Sequence, residues 1–203
     1  MINKKILIAA LVLCAVLLTI GLAPVHGEEK IYDTVVRLHV IANSDSEADQ
    51  ALKLRVRDAI LEVTSPLMEG CRTQEEAKDR LERAIPQIRT AAETTIAEAG
   101  REDPVSVELG QETYPERDYD SFCFPAGEYL SLRVSIGEAE GKNWWCCLFP
   151  PLCLGSATVS AKEAEDACVE VGLTPPQYRI ITETEKPVYR VRFKLLELFR
   201  SLW

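Results

Sequence analysis

The chain has 203 residues, 47% of them hydrophobic, and its 32 Asp and Glu residues outnumber its 23 Lys and Arg residues, so its net charge is −9 at pH 7. A surface of that sign repels nucleic acid and anionic lipid at long range, so we expect neither as a direct partner. The sequence also lacks the GxSxG, HExxH and glycine-rich phosphate-loop motifs that mark several large enzyme classes.

The N-terminus has the layout of an export signal. Lys4 and Lys5 precede eighteen uncharged residues, 6–23, and a charged segment begins after Gly27. This order predicts a signal peptide over residues 1–27. The apolar core is also just long enough to span a bilayer, so a retained N-terminal anchor stays the alternative. Cleavage would remove two lysines and leave 21 basic and 32 acidic residues, a net charge of −11.

The exported chain begins with a predicted strand and helix. Residues 34–41 alternate apolar and polar side chains, which predicts a strand with one buried face. Arg37 and His39 fall on its polar face, where a histidine is ordinarily a surface residue. Ser44 followed by Glu47 fits a capping box, which predicts that a helix begins there.

Proline and glycine are expected to bound this helix and the next. Pro66 is predicted to end the first, in which Lys53 and Arg57 leave the apolar stripe and are expected to meet solvent or nearby acids. A second capping box, Thr73 with Glu76, opens a longer helical stripe.

The middle of the chain is predicted to contain two strands around a loop. Pro86 lies inside the second helical stripe and is expected to kink or split it, and Gly100 to stop it. Alternation over residues 105–109 and 129–137 predicts strands. Residues 110–127 are rich in turn formers and aromatic residues, which predicts a long, partly ordered loop that ends in a short strand.

The last third is predicted to contain two helices and a short strand. Ser160 is expected to cap a helix that Gly172 ends, and residues 178–182 to form a strand after a linker. Residues 188–202 carry an apolar stripe at helical spacing, which predicts an amphipathic helix. The whole order predicts an α+β fold, with helices packed on a small mixed sheet in a single domain over residues 28–203.

The stretch GKNWWCCLFPPLC, residues 141–153, concentrates the unusual chemistry of the chain. A thiol enzyme that pairs Cys146 with His39 is conceivable, since the two residues need only meet in space. The spacing of Cys146, Cys147 and Cys153 is not the CxxC of a zinc or redox site, so we expect no metal and no cofactor. Trp144 and its neighbour point opposite ways on a strand, so one can be core and the other a contact anchor.

A disulfide is the better interpretation of these cysteines. Six cysteines follow the predicted cleavage point, and six allow 15 pairings. Either Cys146 or Cys147 would close a small loop with Cys153, and the sequence pattern does not choose between them.

Two long motifs give the chain a resemblance to a known family. RLHVIANSDSEADQALKLRVRDAI, residues 37–60, and GKNWWCCLFPPLC resemble stage II sporulation protein R of endospore-forming bacteria. The segments VELG, PAGEYLSLRVSIGEAEGKNWW and VRFKLLELF fit the same pattern, in order, over essentially the whole exported chain. The two cysteines that match the family motif are Cys146 and Cys153, which implies that they are the disulfide pair.

The resemblance implies a signalling protein and not an enzyme. Such a protein is exported from the forespore into the space between the forespore and mother-cell membranes. There it activates a membrane-embedded aspartic protease that cleaves a sigma-factor precursor. It would act without a small-molecule substrate and would meet the membrane only through its partner. We expect the partner contact to include Asn143, Trp144, Trp145 and Phe149, because they belong to the rigid segment that the predicted disulfide would lock.

Overall fold

The fold was analysed in a computed structural model, which describes residues 28–119, 123–154, 157–158 and 160–182. The predicted export signal and the predicted helix over 188–202 lie outside the described residues. The described residues belong to one compact unit. Within them, every helix is too short or too polar to cross a bilayer.

The predicted α+β class is confirmed. The helices in the described residues are α1 (Glu28–Tyr32), α2 (Glu47–Met68), α3 (Gln74–Glu98), α4 (Ala161–Glu170) and α5 (Pro175–Thr182). The strands are β1 (Val36–Ile41), β2 (Val105–Tyr114), β3 (Arg117–Asp118), β4 (Cys123–Phe124), β5 (Gly127–Ile136), β6 (Asn143–Phe149), β7 (Cys153–Leu154) and β8 (Ala157–Thr158).

Four strands form a mixed sheet in the order β2-β5-β1-β6. Strand β1 runs parallel to β5 and antiparallel to β6, so it has a hydrogen-bonded neighbour on both sides. All six residues of β1 are buried, including Arg37 and His39. The prediction that this strand has an exposed polar face is therefore wrong, because other elements cover that face.

Helix α2 differs from the prediction at both ends. Its N-cap is Ser46, whose hydroxyl accepts from the Asp49 amide, whereas the Ser44 hydroxyl donates to the Asp49 carboxylate. Pro66 does not end the helix, which continues to Met68. Pro66 and the residue four positions earlier are both exposed, so water can solvate the carbonyl that Pro66 leaves without a donor.

Lys53 and Arg57 are also buried and do not meet bulk solvent. They are 4% and 3% exposed. Lys53 donates to the Lys142 carbonyl, and Arg57 pairs with Asp58. Both side chains lie outside the apolar stripe of α2, and they are covered because strand β6 packs beside this helix.

Helix α3 begins and ends as predicted. Thr73 caps it by accepting from the Glu76 amide, and Gly100 follows the C-cap with a positive φ of 72°. Pro86 lies on the exposed side, and the helix continues uninterrupted past it. The predicted split at this proline is therefore wrong.

Two segments predicted as irregular are regular. Strand β2 continues to Tyr114, and two-residue strands β3 and β4 pair within the predicted loop. Residues 175–182 form helix α5, where a linker and a strand were predicted. Its two prolines occupy the first turn, where a missing amide hydrogen costs no helical hydrogen bond. Ser160 and Glu163 form the predicted type of cap on α4, as a complete capping box.

Candidate functional site

The central sheet has two chemically different faces. In the register, Leu38 lies opposite Cys146, whereas His39 lies opposite Trp145. Alternation therefore sends Cys146 and Trp144 to the side of α2, which we call the helix face. Arg37, His39 and Trp145 project to the other side, which we call the flap face.

The flap is the chain around β3 and β4, residues 115–119 and 123–126. It covers part of the flap face by packing on the Arg37 side chain of β1. The Arg37 guanidinium is fully buried, with its carbon 4.3 Å from the ring centre of Phe124 and 4.6 Å from that of Tyr114. Tyr119 and Tyr129 complete an aromatic cage at 6.0 and 5.2 Å. A cation held over several ring faces gains electrostatic stabilisation that partly offsets its desolvation.

Hydrogen bonds fix the Arg37 side chain between the sheet and the flap. Its Nε donates to the Cys146 carbonyl at 2.9 Å, and one terminal nitrogen donates to the Tyr119 hydroxyl at 2.9 Å. That hydroxyl in turn donates to the Trp145 carbonyl at 3.0 Å. Arg37 therefore joins β1, β6 and the flap.

His39 lies at the edge of the cage in a second network. Its Nδ1 donates to Glu112 at 2.7 Å, because a carboxylate can only accept. Its Nε2 lies 2.9 Å from the amide oxygen of Asn143. The Tyr114 hydroxyl donates to Ser131, which donates to Glu112 at 2.8 Å. Ser131 thus hydrogen-bonds to the Glu112 carboxylate and not to the His39 imidazole. In a catalytic triad, the serine hydroxyl would instead bond to the imidazole that acts as its base.

Trp145 connects the two networks. Its ring centre is 5.3 Å from that of His39 and 6.0 Å from that of Tyr114. On its other side, the Arg117 guanidinium of the flap stacks at 3.6 Å. Trp144 instead packs under Arg57 of α2, at 4.3 Å. The prediction that the two tryptophans face opposite ways is confirmed, although both are half-buried.

Burial favours the neutral forms of two tyrosine hydroxyls and two cysteine thiols in this part of the fold. Burial raises the pKa values of the Tyr114 and Tyr119 hydroxyls above their ordinary range. Burial likewise raises the pKa of the Cys147 thiol, and that of Cys168 to about 12. Thiols with such pKa values are poor nucleophiles at neutral pH.

The thiol enzyme considered from the sequence does not assemble. Cys146 projects to the helix face and His39 to the flap face, so the sheet separates the two side chains. Both ring nitrogens of His39 are already engaged, by Glu112 and Asn143. The interpretation of His39 as an ordinary surface residue is also wrong, because it is 6% exposed.

The predicted contact residues differ in their exposure. Asn143 is exposed, and Trp144 and Trp145 are half-buried. Phe149 is 1% exposed and belongs to the core, so its side chain cannot serve as a surface contact without rearrangement.

The sequence left both Cys146 and Cys147 as possible disulfide partners of Cys153, and the structure bears on Cys147. The buried Cys147 thiol lies 3.3 Å from the Phe149 carbonyl oxygen and 3.2 Å from that of Pro150. The side chain of Cys153 lies outside the described residues, so its pairing with Cys146 stays a prediction.

Two further groups border the flap face. Glu116, Asp118 and Cys123 bring ligand-type atoms within 4.8 Å of one another. Burial and the nearby Asp118 raise the pKa of Cys123 to about 12. Glu116 and Asp118 are exposed, and such acidic groups commonly occur without an ion, so we assign no metal here. A depression beside Gly110 has a volume of about 160 Å³, which is below the ~300 Å³ of a typical small-molecule pocket.

The two long sequence motifs form one structural unit at the ends of β1 and β5. Asn43 accepts from the Glu138 amide, and Asp45 accepts from the Lys142 amide at 2.7 Å. The Gly141 amide donates to the Ala42 carbonyl. A Cβ atom on Gly141 would lie 2.3 Å from the Ser44 carbonyl oxygen, so only glycine fits without a shift. The first motif therefore holds the β5–β6 turn that positions Asn143 and Trp145.

Sequence reasoning missed five residues that form the networks of the flap face: Arg37, Glu112, Tyr114, Arg117 and Tyr119. Arg37 carried a usable signal, since it stands within an apolar strand. The others came from a segment whose turn formers predicted a loop.

Comparisons with known proteins agree with the motifs. A family model described as Stage II sporulation protein R (spore_II_R) matches residues 32–159. Stage II sporulation protein R of Bacillus subtilis (strain 168) is 36% identical over 138 residues, which are 67% of this chain and 62% of that protein. The chain thus matches less than two thirds of that relative's length, and no solved structure matches significantly. The matched region contains both motifs, the flap and the central sheet, and the chain belongs to the stage II sporulation protein R family.

Proposed function

We propose that this chain is an exported signalling protein that activates a membrane-embedded aspartic protease during endospore formation. The protease then removes the inhibitory leader from a sigma-factor precursor in the mother cell. Family membership gives the chain a role in sporulation. The observation that carries the finer proposal is the family match over residues 32–159, which contains the central sheet, the flap and helices α2 and α3.

The chemistry of the flap face supports action by contact. Its buried His39 and Ser131 donate to the Glu112 carboxylate, and the Tyr114 hydroxyl donates to Ser131. Its guanidiniums and indole are the side chains most enriched at energetically important protein contacts. This composition favours a binding surface whose shape is held rigid by the Arg37 cage.

Export into the space between the two membranes is part of the same proposal. The N-terminal signal layout supports it, and the strong negative charge suits a protein that stays in solution near anionic membranes. The chain would then reach the membrane only by binding the protease.

A disulfide between Cys146 and Cys153 would brace the contact segment. Strand β7, which begins at Cys153, lies beside β6. The Cys147 thiol donates towards the Phe149 and Pro150 carbonyls, which supports Cys146 as the partner of Cys153. Alkylation without reductant, followed by peptide mass spectrometry, should leave Cys146 and Cys153 unmodified and linked. Modification of both would refute this pairing.

Co-expression in a host that does not sporulate tests the proposed activity. The full-length chain, the candidate protease and the sigma-factor precursor are produced together, and leader removal is followed by immunoblot. We expect removal only when all three are present and the protease has its active-site aspartates. A chain without residues 1–27, kept inside the cell, should fail. Equal removal without this chain would overturn the proposal.

A further inference from the structure

Two arginines on the flap face have no carboxylate partner among the described residues, although the chain has more acidic than basic residues. Arg37 has one terminal nitrogen that is buried and without a hydrogen-bond partner. Arg117 forms no hydrogen bond or ion pair with the described residues, and its Nε is buried and unpartnered. Both guanidiniums contact aromatic rings instead.

Other arginines in the described residues do find carboxylates. Arg101 pairs with Asp49 and Asp103 at 2.7 Å, and Arg57 pairs with Asp58 at 2.6 Å. Exposed arginines such as Arg89 also have no ion-pair partner among the described residues. What distinguishes Arg37 and Arg117 from the other described arginines is a buried guanidinium nitrogen without an acceptor.

Acids adjacent to Arg117 in the sequence do not supply the missing partner. Glu116 and Asp118 flank it, but alternation along β3 sends them to the other side of the strand. There their carboxylates lie near the Cys123 thiol. The guanidinium lies over the Trp145 ring, and neither Glu116 nor Asp118 forms an ion pair with it.

Stacking on Trp145 prepares this guanidinium for a carboxylate. At 3.6 Å from the ring centre, the ring covers one face of the guanidinium plane and restricts its orientation. The N–H groups of a guanidinium lie in its plane, in the forked arrangement that matches two carboxylate oxygens. An arginine already ordered by an aromatic ring loses less entropy when it binds.

The surroundings make the stack rigid and favour an anion. The Trp145 carbonyl is held by Tyr119, which is held by Arg37. The buried Arg37 cation adds positive potential behind the stack, in a region where low polarity weakens screening. His39 packs against the same indole.

We propose that the Arg117–Trp145 stack is the docking point for a carboxylate side chain, Asp or Glu, of the partner protease. This inference rests on the proposed function and adds to it a contact on this chain and the chemistry of its counterpart. Charge complementarity carries it, since an acidic partner group supplies the missing counter-ion.

Charge reversal tests the inference in the co-expression system, with the amount of full-length chain varied. Arg117→Glu should need at least about tenfold more chain for half-maximal leader removal, which corresponds to the loss of one charged contact. Arg117→Gln should lie between Arg117→Glu and the wild type. Arg89→Glu reverses an exposed arginine of α3 that has no ion-pair partner among the described residues, and it should match the wild type.

The possible results separate the two proposals. If the wild type itself fails to promote leader removal, the proposed function fails. If the wild type works and the Arg117→Glu and Arg117→Gln variants, shown folded by an unchanged melting temperature, work equally well, the docking point is wrong.

A second experiment keeps the test decisive if Arg117→Glu proves less stable. Each exposed Asp or Glu on the outer surface of the protease is changed to Arg and combined with Arg117→Glu. We expect one such change to restore leader removal. If none restores it while Arg117→Glu is folded, the partner group is not a carboxylate.

Discussion

Arg37→Ala removes the guanidinium at the centre of the aromatic cage and thereby tests whether the flap is held as described. The change breaks two hydrogen bonds made by a charged donor, to the Cys146 carbonyl and the Tyr119 hydroxyl. Each is worth about 1.5 kcal/mol at the lower end of the usual range. The cavity left by a fully buried side chain adds roughly 1–2 kcal/mol.

One effect opposes this loss. A buried cation without a carboxylate carries a desolvation cost, and Arg37→Ala relieves it. We therefore expect a net loss of about 2–4 kcal/mol in the free energy of unfolding, a large share of the ordinary stability of a domain. Arg37→Met, which fills the space without the charge, should lose less than Arg37→Ala.

Urea unfolding followed by circular dichroism measures these differences. A double-mutant cycle with Tyr119→Phe should give a coupling energy of about 1 kcal/mol or more, because the two side chains share a hydrogen bond. A loss below about 1 kcal/mol for Arg37→Ala, together with zero coupling, would refute the role assigned to the cage.

Three further predictions concern other contacts. Trp144→Ala should cost about 2–3 kcal/mol of stability while leader removal per folded molecule is kept, whereas Trp145→Ala should impair leader removal more than its melting temperature explains; equal profiles would contradict this division. Hydrogen bonds from Ser44 and Asn43 lower the pKa of Asp49, so they stabilise the fold above the ordinary carboxyl pKa near 3.9 and this contribution is lost as the pH falls below it. Asp49→Asn should therefore lower the melting temperature at pH 7 and flatten its decline between about pH 5 and 3; a decline as steep as in the wild type would contradict the assignment. Gly141→Ala should lose roughly 1–3 kcal/mol in chemical unfolding, since its Cβ would meet a backbone oxygen, and an unchanged midpoint would show that the turn yields.

Local signals in the sequence were enough to predict the class of fold and the ends of several helices. Alternation located three of the four central strands, β1, β2 and β5, and Thr73, Ser160 and Gly100 marked helix ends through hydrogen bonds with nearby residues or through their own backbone conformation. These features depend on few long-range contacts, so the sequence pattern is sufficient to predict them.

The flap face could not be predicted because it depends on distant contacts. Arg37 and His39 look like surface residues until residues from 73 to 109 positions away supply their partners. Strand β1 alternates apolar and polar residues although both of its faces are buried. Its polar side chains can be buried because those partners satisfy their hydrogen bonds. The same reasoning separates Trp144 from Trp145, whose roles follow from which face each one joins.

Reconstitution from purified components tests the central claim most directly. The protease is placed in lipid vesicles with its sigma-factor precursor, and the exported chain is added to the side that corresponds to the space between the membranes. We predict that leader removal begins only after this addition, depends on the amount of chain and reaches a plateau. Removal at the same rate without the chain, or none at any amount of a folded chain, would contradict the account.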